Sequence, residues 1–288
     1  MTQSEAASTL VAWEQGMAKK PVPSYKNPPV VEVVWSVQFS KMPWLTAAHT
    51  GLFWEMIRKD YPKCDEQPPI ERQDEPEDIW QSRQAVPELL PKPPLCRQVF
   101  LSASGNDLVQ VQADRFCVNW RKAKPTDSYP RYDHVQKLFA ARWGDFCRFA
   151  SNESGATPQV DLLEMTYVNH IFKEEGWSAP QDIGKVFPAI SFHEESDFLR
   201  PPATLGSNMV FDICGPRGRL RVSCRHARLL TGEQKELFLL ELVARGRPDG
   251  ASDKEVLAWF AEAREWIVRG FADLTNKNIQ AKQWGREQ

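Results

Sequence analysis

The sequence predicts an α+β fold, in which helices pack on a large, mainly antiparallel sheet and a C-terminal helix acts as a clamp. Three observations indicate this class. Residues 160–172 have the composition of a long strand, residues 98–122 have the pattern of three short strands joined by turns, and residues 252–271 have that of an amphipathic helix. The predicted order is strand, helix, meander, helix and strand, followed by three strands and a helix, which is typical of α+β proteins.

The chain is organised around the predicted strand 160–172, which is rich in β-branched and aromatic residues and contains neither Gly nor Pro. Alternation gives one face to Leu163, Met165, Tyr167, Asn169 and Ile171 and the other to Val160, Leu162, Glu164, Thr166 and Val168. Both faces are mostly apolar, which predicts a central strand covered on both sides. Glu164, Thr166 and Asn169 would then need partners, because an unsatisfied buried polar group costs roughly 1–3 kcal/mol.

The first part of the chain is predicted to contain a lead-in at 1–24, then a strand and a helix. The strand covers 30–39 and has one strongly apolar side, made by Val31, Val33, Trp35, Val37 and Phe39. The helix covers 46–61 and ends at Pro62. Its residues at helical spacing are expected in the core: Leu52, Phe53, Met56 and Ile57.

Residues 63–95 differ in kind from their surroundings. They are rich in proline, carry an acidic cluster between Asp65 and Asp78, and have little apolar content. Such a composition buries little surface, so we expect a long irregular excursion that is too short to be a domain.

The middle of the chain predicts an antiparallel meander followed by a helix. The three strands cover 98–104, 107–113 and 115–122, with turns at Gly105-Asn106 and Ala113-Asp114. The helix covers about 131–150. Its apolar residues lie at three- and four-residue spacing and are expected in the core: Val135, Leu138, Phe139, Trp143, Phe146 and Phe149.

The last part of the chain predicts a hairpin of strands 208–214 and 219–228, a strand over 236–245, and a final helix. Ser252 and Glu255 have capping-box spacing. One stripe of the helix carries Val256, Phe260, Ala263, Ile267 and Phe271, and a tail begins at Thr275.

We expect a single domain over 25–288, made of the halves 25–172 and 207–276. Each half could bury a sheet face only against the other, which favours one domain over two.

Composition places the chain among ordinary globular proteins. A net charge of −2 over 288 residues offers nucleic acid no broad electrostatic footprint, and no apolar run approaches the ~20 residues that cross a bilayer. The N-terminus lacks the basic-then-apolar layout of a secretory signal. Six scattered cysteines form no Cys-x-x-Cys pair, which favours reduced thiols in a cytoplasmic protein.

Several features in a fixed order resemble one known family. They are Pro28-Pro29 before a strand that contains Glu32, the start of the middle helix at 132–139, Tyr167-Val-Asn169, and the C-terminal helix with Phe271, Leu274 and Trp284-Gly285. Together they are similar to a family of sporadically distributed prokaryotic proteins that has no assigned activity, and the resemblance covers Tyr25 to the end.

The resemblance implies a bacterial cytoplasmic protein that is found among mobile or defence-associated genes. It supplies no catalytic residue. Many members carry Arg where this chain has Thr166, so any use of that Arg for an anionic ligand is in doubt here.

The motifs of common catalytic and cofactor sites are missing from the sequence. There is no Gly-x-Ser-x-Gly and no phosphate-binding loop. Asp161 and Glu164 lie on opposite faces of one strand and cannot share a metal. In the predicted hairpin Cys224 lies opposite Met209, too far from Cys214 for both to bind one zinc ion. We therefore expect no cofactor, no metal site and no catalytic residue, and a binding protein rather than an enzyme.

A row of arginines in the predicted hairpin is the first candidate site. Arg219, Arg221 and Arg225 share one strand face, and Arg217 lies at the turn. Guanidinium groups about 6.6 Å apart match successive phosphates or an acidic protein strip. The alternative is a solvated strand face whose arginines pair with local carboxylates.

Two functional classes remain open on sequence grounds. One is a non-catalytic interaction protein, a subunit of a bacterial defence or mobile-element system, whose arginine row binds a protein partner, a second copy or nucleic acid. The other is a ligand-binding or enzymatic domain. Its pocket would lie between the sheet and the C-terminal helix and would be lined by Tyr167, Asn169, Trp266 and Phe271. Neither class involves a membrane.

Overall fold

The computed structural model describes residues 21–76, 95–190, 198–213, 218–230, 232, 234–250 and 252–287. Its strands are β1 (Val30–Phe39), β2 (Lys63–Gln67), β3 (Arg97–Leu101), β4 (Asp107–Gln112), β5 (Arg115–Arg121), β6 (Val160–Phe172), β7 (Gly206–Ile213), β8 (Gly218–Arg228) and β9 (Glu236–Gly246). Its α-helices are α1 (Ala47–Ile57), α2 (Tyr132–Ser154), α3 (Ile183–Val186), α4 (Asp253–Leu274) and α5 (Lys277–Lys282). Most of the predicted lead-in, residues 1–20, lies outside the described residues.

Within these ranges the strands form one nine-stranded sheet in the order β2-β3-β4-β5-β1-β6-β9-β8-β7. The pairs β2–β3, β3–β4, β4–β5, β1–β5 and β7–β8 are all antiparallel. The predicted α+β class with a large, mainly antiparallel sheet is therefore confirmed. The strand predicted at 160–172 occupies the sixth position of nine, so it is central as expected.

Contacts divide the chain into two compact units. The meander unit comprises Val30–Tyr167 and Arg245–Ala261, and the hairpin unit comprises the described residues of Met1–Pro29, Val168–Ala244 and Glu262–Gln288. The predicted single domain with halves at 25–172 and 207–276 stays a prediction.

Aromatic side chains fill the core of the meander unit on one face of its strands. Trp35 stacks on Phe260 with ring centroids 4.5 Å apart, and Phe116 stacks on Phe146 at 5.0 Å. Phe53 of α1 meets Phe146 edge-on at 5.4 Å. Burying such a ring contributes about 1.5–3 kcal/mol, and each favourable ring pair adds about 0.5–1.5 kcal/mol. The aromatic spacing in α2 thus forms core, as the sequence predicts.

The hairpin unit has its own aromatic core and a docked C-terminus. Trp177 packs on Phe238 at 4.3 Å, and Phe271 packs on Trp284 at 5.0 Å. The segment after Thr275, predicted to be a tail, instead forms α5 and buries Trp284 to 1% exposure. An Asn cap starts this short helix, and the large indole ring then gains more by burial than the chain end loses in freedom.

Three predictions about local structure need correction. Helix α1 is shorter than 46–61, and Leu52 and Met56 are 54% and 52% exposed, because its buried stripe runs through Thr50, Phe53 and Ile57. Residues 63–67 are not irregular: they form β2, an exposed, charged edge strand of the kind that resists unwanted pairing. Strand β6 buries only one face fully, and its second face is largely half-buried.

Helix α4 follows its sequence pattern closely. The Ser252 N–H donates to Glu255 Oε2 at 3.0 Å, and the Glu255 N–H donates to Ser252 Oγ at 3.3 Å, which is the predicted capping box. The predicted stripe is buried throughout: Val256, Phe260, Ala263, Ile267 and Phe271.

Candidate functional site

The meander unit carries a polar face on the side of β1, β4 and β5 that is opposite to the aromatic core. Its first cross-strand row is Gln38, Arg115 and Gln112, and the next is Ser36, Cys117 and Gln110. These six side chains are all buried, as is Asn119 in the following row. The outermost row pairs Glu32 with Arg121. Buried polar groups are stable only when they are hydrogen-bonded, so their partners determine what this face can bind.

Residues 68–76, the strap, supply the partners of the first row through their main chain. Gln112 Oε1 accepts from the Ile70 N–H and Gln112 Nε2 donates to the Ile70 carbonyl, both at 2.9 Å. Gln38 holds Gln73 in the same way, at 2.8 and 2.9 Å. Arg115 Nη2 donates to the Glu71 carbonyl at 3.2 Å. Two side-chain amides and one guanidinium therefore hold the strap by its peptide groups.

Ion pairs fasten the strap further. Arg72 pairs with Asp161 and lies 3.6 Å from Asp114, and its Nη1 donates to the Phe39 carbonyl at 2.9 Å. Arg247 Nη2 lies 3.3 Å from Asp74 Oδ1. These pairs are partly exposed and contribute on the order of 0–1 kcal/mol each, so the amide contacts are the more specific part of the attachment.

Next to the strap, the polar face contains a cavity of about 300 Å³. Ile70 of the strap forms part of its wall. The other lining residues are Glu32, Val34, Gln67, Arg97, Val99, Leu108, Gln110, Cys117, Asn119, Arg121, Glu164 and Thr166. The volume lies at the lower end of the ~300–1,000 Å³ that is typical of ligand pockets.

One chain of hydrogen bonds runs across the cavity wall. Arg97 donates to Gln67 Oε1 at 2.6 Å and to Gln110 Oε1 at 2.8 Å. Gln110 Nε2 donates to Asn119 Oδ1 at 2.7 Å, and Asn119 Nδ2 donates to Glu32 Oε1 at 2.8 Å. Each amide side chain is oriented by its neighbours, so the wall is organised before any ligand arrives.

Both signs of charge border this cavity. Glu164 pairs with Arg245 at 2.6 Å and lies 4.0 Å from Arg115. Glu32 and Arg121 are cross-strand partners, yet Glu32 accepts from Asn119, and Arg121 Nε donates to the Gly105 carbonyl at 3.1 Å. Each of these two charged side chains thus has a hydrogen-bond partner other than its cross-strand neighbour, and both line the cavity.

Cys117 is the one thiol among the described lining residues of the cavity. Burial raises the pKa of this thiol, so it stays protonated and is a poor nucleophile. Across the described ranges, no group of three or more His, Cys, Asp or Glu side chains could hold a metal ion. The groups at this site suit recognition through hydrogen bonds and charge.

The arginine row predicted from sequence is only partly described. Arg217 lies outside the described residues. Arg219 Nε donates to Asp212 Oδ1 at 3.0 Å, forming an ion pair across the β7–β8 hairpin. Arg221 is half-buried, whereas Arg225 is exposed. Arg219 is thus paired with a carboxylate of the same hairpin, whereas the Arg225 side chain is exposed.

The register of this hairpin differs from the predicted one by two residues. Cys224 lies opposite Ser207, and Met209 lies opposite Val222. The strands meet at Ile213 and Gly218, and the predicted partner Cys214 lies outside the described residues. The register of a hairpin depends on the length and type of the connection between its strands, which Gly and Pro residues in the sequence do not specify by themselves.

The four pocket residues predicted from sequence occupy different environments. Tyr167 is buried, with its hydroxyl 3.0 Å from that of Tyr129. Asn169 is buried and donates to the Leu240 carbonyl at 3.2 Å, and Phe271 belongs to the core of the hairpin unit. Trp266 lines a separate groove of about 140 Å³. The other residues of this groove are Phe211, Leu220, Arg269, Gly270, Asp273 and Leu274.

Sequence reasoning missed the polar face. The signal was present as period-two polar positions in neighbouring strands, such as Glu32, Ser36 and Gln38 in β1 and Gln110 and Gln112 in β4. Such alternation usually marks a solvated sheet face. Only the strap, which covers part of this face, turns it into a site.

Comparisons of the chain with protein-family models, with curated proteins and with solved structures found no match. The resemblance to the sporadically distributed prokaryotic family therefore stays a prediction. Among the described residues, no helix combines the length and apolar character that crossing a membrane requires.

Proposed function

We propose that the protein is a binding protein whose polar cavity receives a small, non-aromatic molecule that carries both an anionic and a cationic group. The observation that carries this proposal is the cavity wall itself. It combines Glu32 and Glu164 with Arg97 and Arg121 around a chain of buried, mutually oriented amides. A zwitterionic ligand satisfies both signs of charge at once, which an apolar or singly charged ligand does not.

The lining favours a non-aromatic ligand. Among the described residues, its apolar members are the aliphatic Val34, Val99, Leu108 and Ile70, and none of the described lining residues is aromatic. Nucleobases are commonly held by stacking on aromatic side chains, which the described part of this lining lacks. The protonated Cys117 thiol gives no support to a covalent mechanism.

A ligand panel tests this function. Melting temperature and isothermal titration calorimetry would compare amino acids and short peptides with a polyamine, a dicarboxylate, a monosaccharide and a nucleoside. We expect the zwitterions to bind and to raise the melting temperature, because a ligand that binds only the folded state stabilises it.

Matched variants tie binding to the cavity. Glu32→Gln and Arg121→Gln each remove one charged contact, worth roughly 1.5–3 kcal/mol, and should weaken binding by about tenfold or more. Arg225→Gln removes an exposed guanidinium from the hairpin unit and should leave affinity unchanged. No binding by any compound of the panel, or equal binding by all variants, would contradict the proposed function.

A protein partner at the arginine row is a second candidate, favoured by the exposed guanidinium of Arg225. Membership of a bacterial defence or mobile-element system is supported by the family resemblance alone. A cytoplasmic location is supported by the cysteines, since Cys64, Cys96, Cys117, Cys147 and Cys224 are free thiols. Co-purification from the native host, with wild-type protein and Arg225→Glu in parallel, tests whether a protein partner binds at the arginine row. A partner that the variant still retains would contradict binding through Arg225.

A further inference from the structure

We infer that the ligand of the polar cavity is a short peptide, recognised through its main chain. This inference rests on the proposed function and narrows its ligand to one chemical class. It comes from the strap, because the strap shows which groups this face already binds within the molecule.

The strap is held through peptide groups. Gln112 and Gln38 each accept from an N–H and donate to the carbonyl of a single strap residue, and Arg115 donates to a third strap carbonyl. An amide side chain that pairs with both main-chain groups of one residue copies the pairing between neighbouring strands. Such contacts can bind any non-proline residue, because they involve only its main-chain groups and not its side chain.

The cavity continues the same chemistry one row further along the strands. Gln110 precedes Gln112 by two residues on β4, so its side chain points to the same face about 6.6 Å away. Asn119 lies across the face on β5, two residues beyond Cys117. A primary amide has two N–H donors and an oxygen with two lone pairs, and the hydrogen-bond chain uses one of each on Asn119. Each amide thus keeps capacity for a ligand N–H or carbonyl.

Arginine and glutamate complete a site for a peptide with free ends. Arg97 Nε is buried without a partner among the described residues, so a ligand carbonyl or carboxylate nearby would relieve an unsatisfied donor. Arg121 offers a guanidinium to the terminal carboxylate, and Glu32 offers a carboxylate to the terminal ammonium. The aliphatic wall residues, Ile70 among them, leave room for small side chains without selecting one.

Two isomeric peptides separate main-chain recognition from charge. Trialanine and trisarcosine share one atomic composition and each carries one ammonium and one carboxylate, but trisarcosine has no internal amide N–H and its terminal ammonium is N-methylated. Calorimetry on the full chain should give trialanine an affinity at least about tenfold higher, the equivalent of one lost hydrogen bond of roughly 1.4 kcal/mol. Asn119→Leu, which keeps a similar shape but removes the amide oxygen that can accept from a peptide N–H, should reduce this preference.

Each outcome has one consequence. Equal affinity for both isomers, or binding of other zwitterions of the panel without either peptide, would overturn main-chain recognition and leave the proposed function standing. Binding of trialanine by wild type with an unchanged preference in Asn119→Leu would also overturn it. Failure of every compound of the panel to bind would overturn both the inference and the proposed function. A preference for trialanine that falls in Asn119→Leu supports the inference.

Discussion

Gln112 holds Ile70 through both main-chain groups of that residue, accepting from its N–H and donating to its carbonyl at 2.9 Å each. One buried side chain therefore satisfies both main-chain groups of a residue that lies 42 positions earlier in the chain. This contact connects the strap to the sheet and places Ile70 at the edge of the cavity. The stability of the strap and the shape of the site consequently depend on the same amide.

Replacing Gln112 by Leu should destabilise the protein by about 1–3 kcal/mol. The change keeps an apolar stem of similar size but leaves the Ile70 N–H and carbonyl without their partner. Chemical denaturation measures the effect. Gln73→Leu is the control, because among the described residues the Gln73 side chain bonds within the strap, to the Glu71 carbonyl; it should change stability by less than about 0.5 kcal/mol. Equal effects of the two variants would show that the amide contact does not fasten the strap.

Phe260→Ala should destabilise the protein by about 3–5 kcal/mol, because Phe260 is fully buried between Trp35 and Phe139. The midpoint of urea unfolding checks this. Leu52→Ala provides the contrast: the sequence pattern assigned Leu52 to the core, but the side chain is exposed, so its loss should change little. An unchanged midpoint for Phe260→Ala would contradict a role of Phe260, and of α4, in the core.

Alanine at two helical glycines should have opposite effects. Gly51 in α1 has nothing within 4 Å of an added Cβ, so Gly51→Ala should stabilise by about 0.5–1 kcal/mol through helix propensity. At Gly270 in α4 a Cβ would come within 2.8 Å of Leu220 Cδ2, whose side chain is buried. We expect Gly270→Ala to be the less stable variant by about 1–3 kcal/mol. Thermal unfolding of both variants measures their stabilities. Stabilisation of both would mean that the Leu220 side chain can shift away from the added Cβ at little cost.

Glu236 should contribute stability that disappears in acid. Its hydrogen bonds to Lys173, and then to Arg228, lower its pKa from the usual 4.5 to about 2, and His226 lies 3.6 Å from it. A lowered folded-state pKa means that the contribution is complete above pH 4.5 and is lost as the pH falls towards 2. The stability difference between wild type and Glu236→Gln, followed by urea unfolding, should therefore shrink across that window. A difference that stays constant from pH 7 to 2, or an equal pH effect in the exposed Glu153→Gln, would contradict this role.

The sequence by itself determined the elements whose signals are local. The capping box of Ser252 and Glu255, the stripe through Phe260 and the run at 160–172 each specify one helix or strand through neighbours within a few residues. These signals were sufficient for the α+β class and the meander. They were not sufficient for α1, where two apolar residues at helical spacing face solvent because the neighbouring elements occupy the other side.

Only the tertiary structure decided that the polar side of the meander is buried. Gln38, Gln110 and Gln112 alternate with apolar residues as solvated strand positions do, so nothing within their own strands distinguishes them. They are buried because the strap and neighbouring strands bring partners from distant parts of the chain, as Gln38 and Gln73 show across 35 positions. Hydrogen bonds between remote residues leave no periodicity in the sequence. The site therefore exists only when the sheet is assembled and the strap is laid across it.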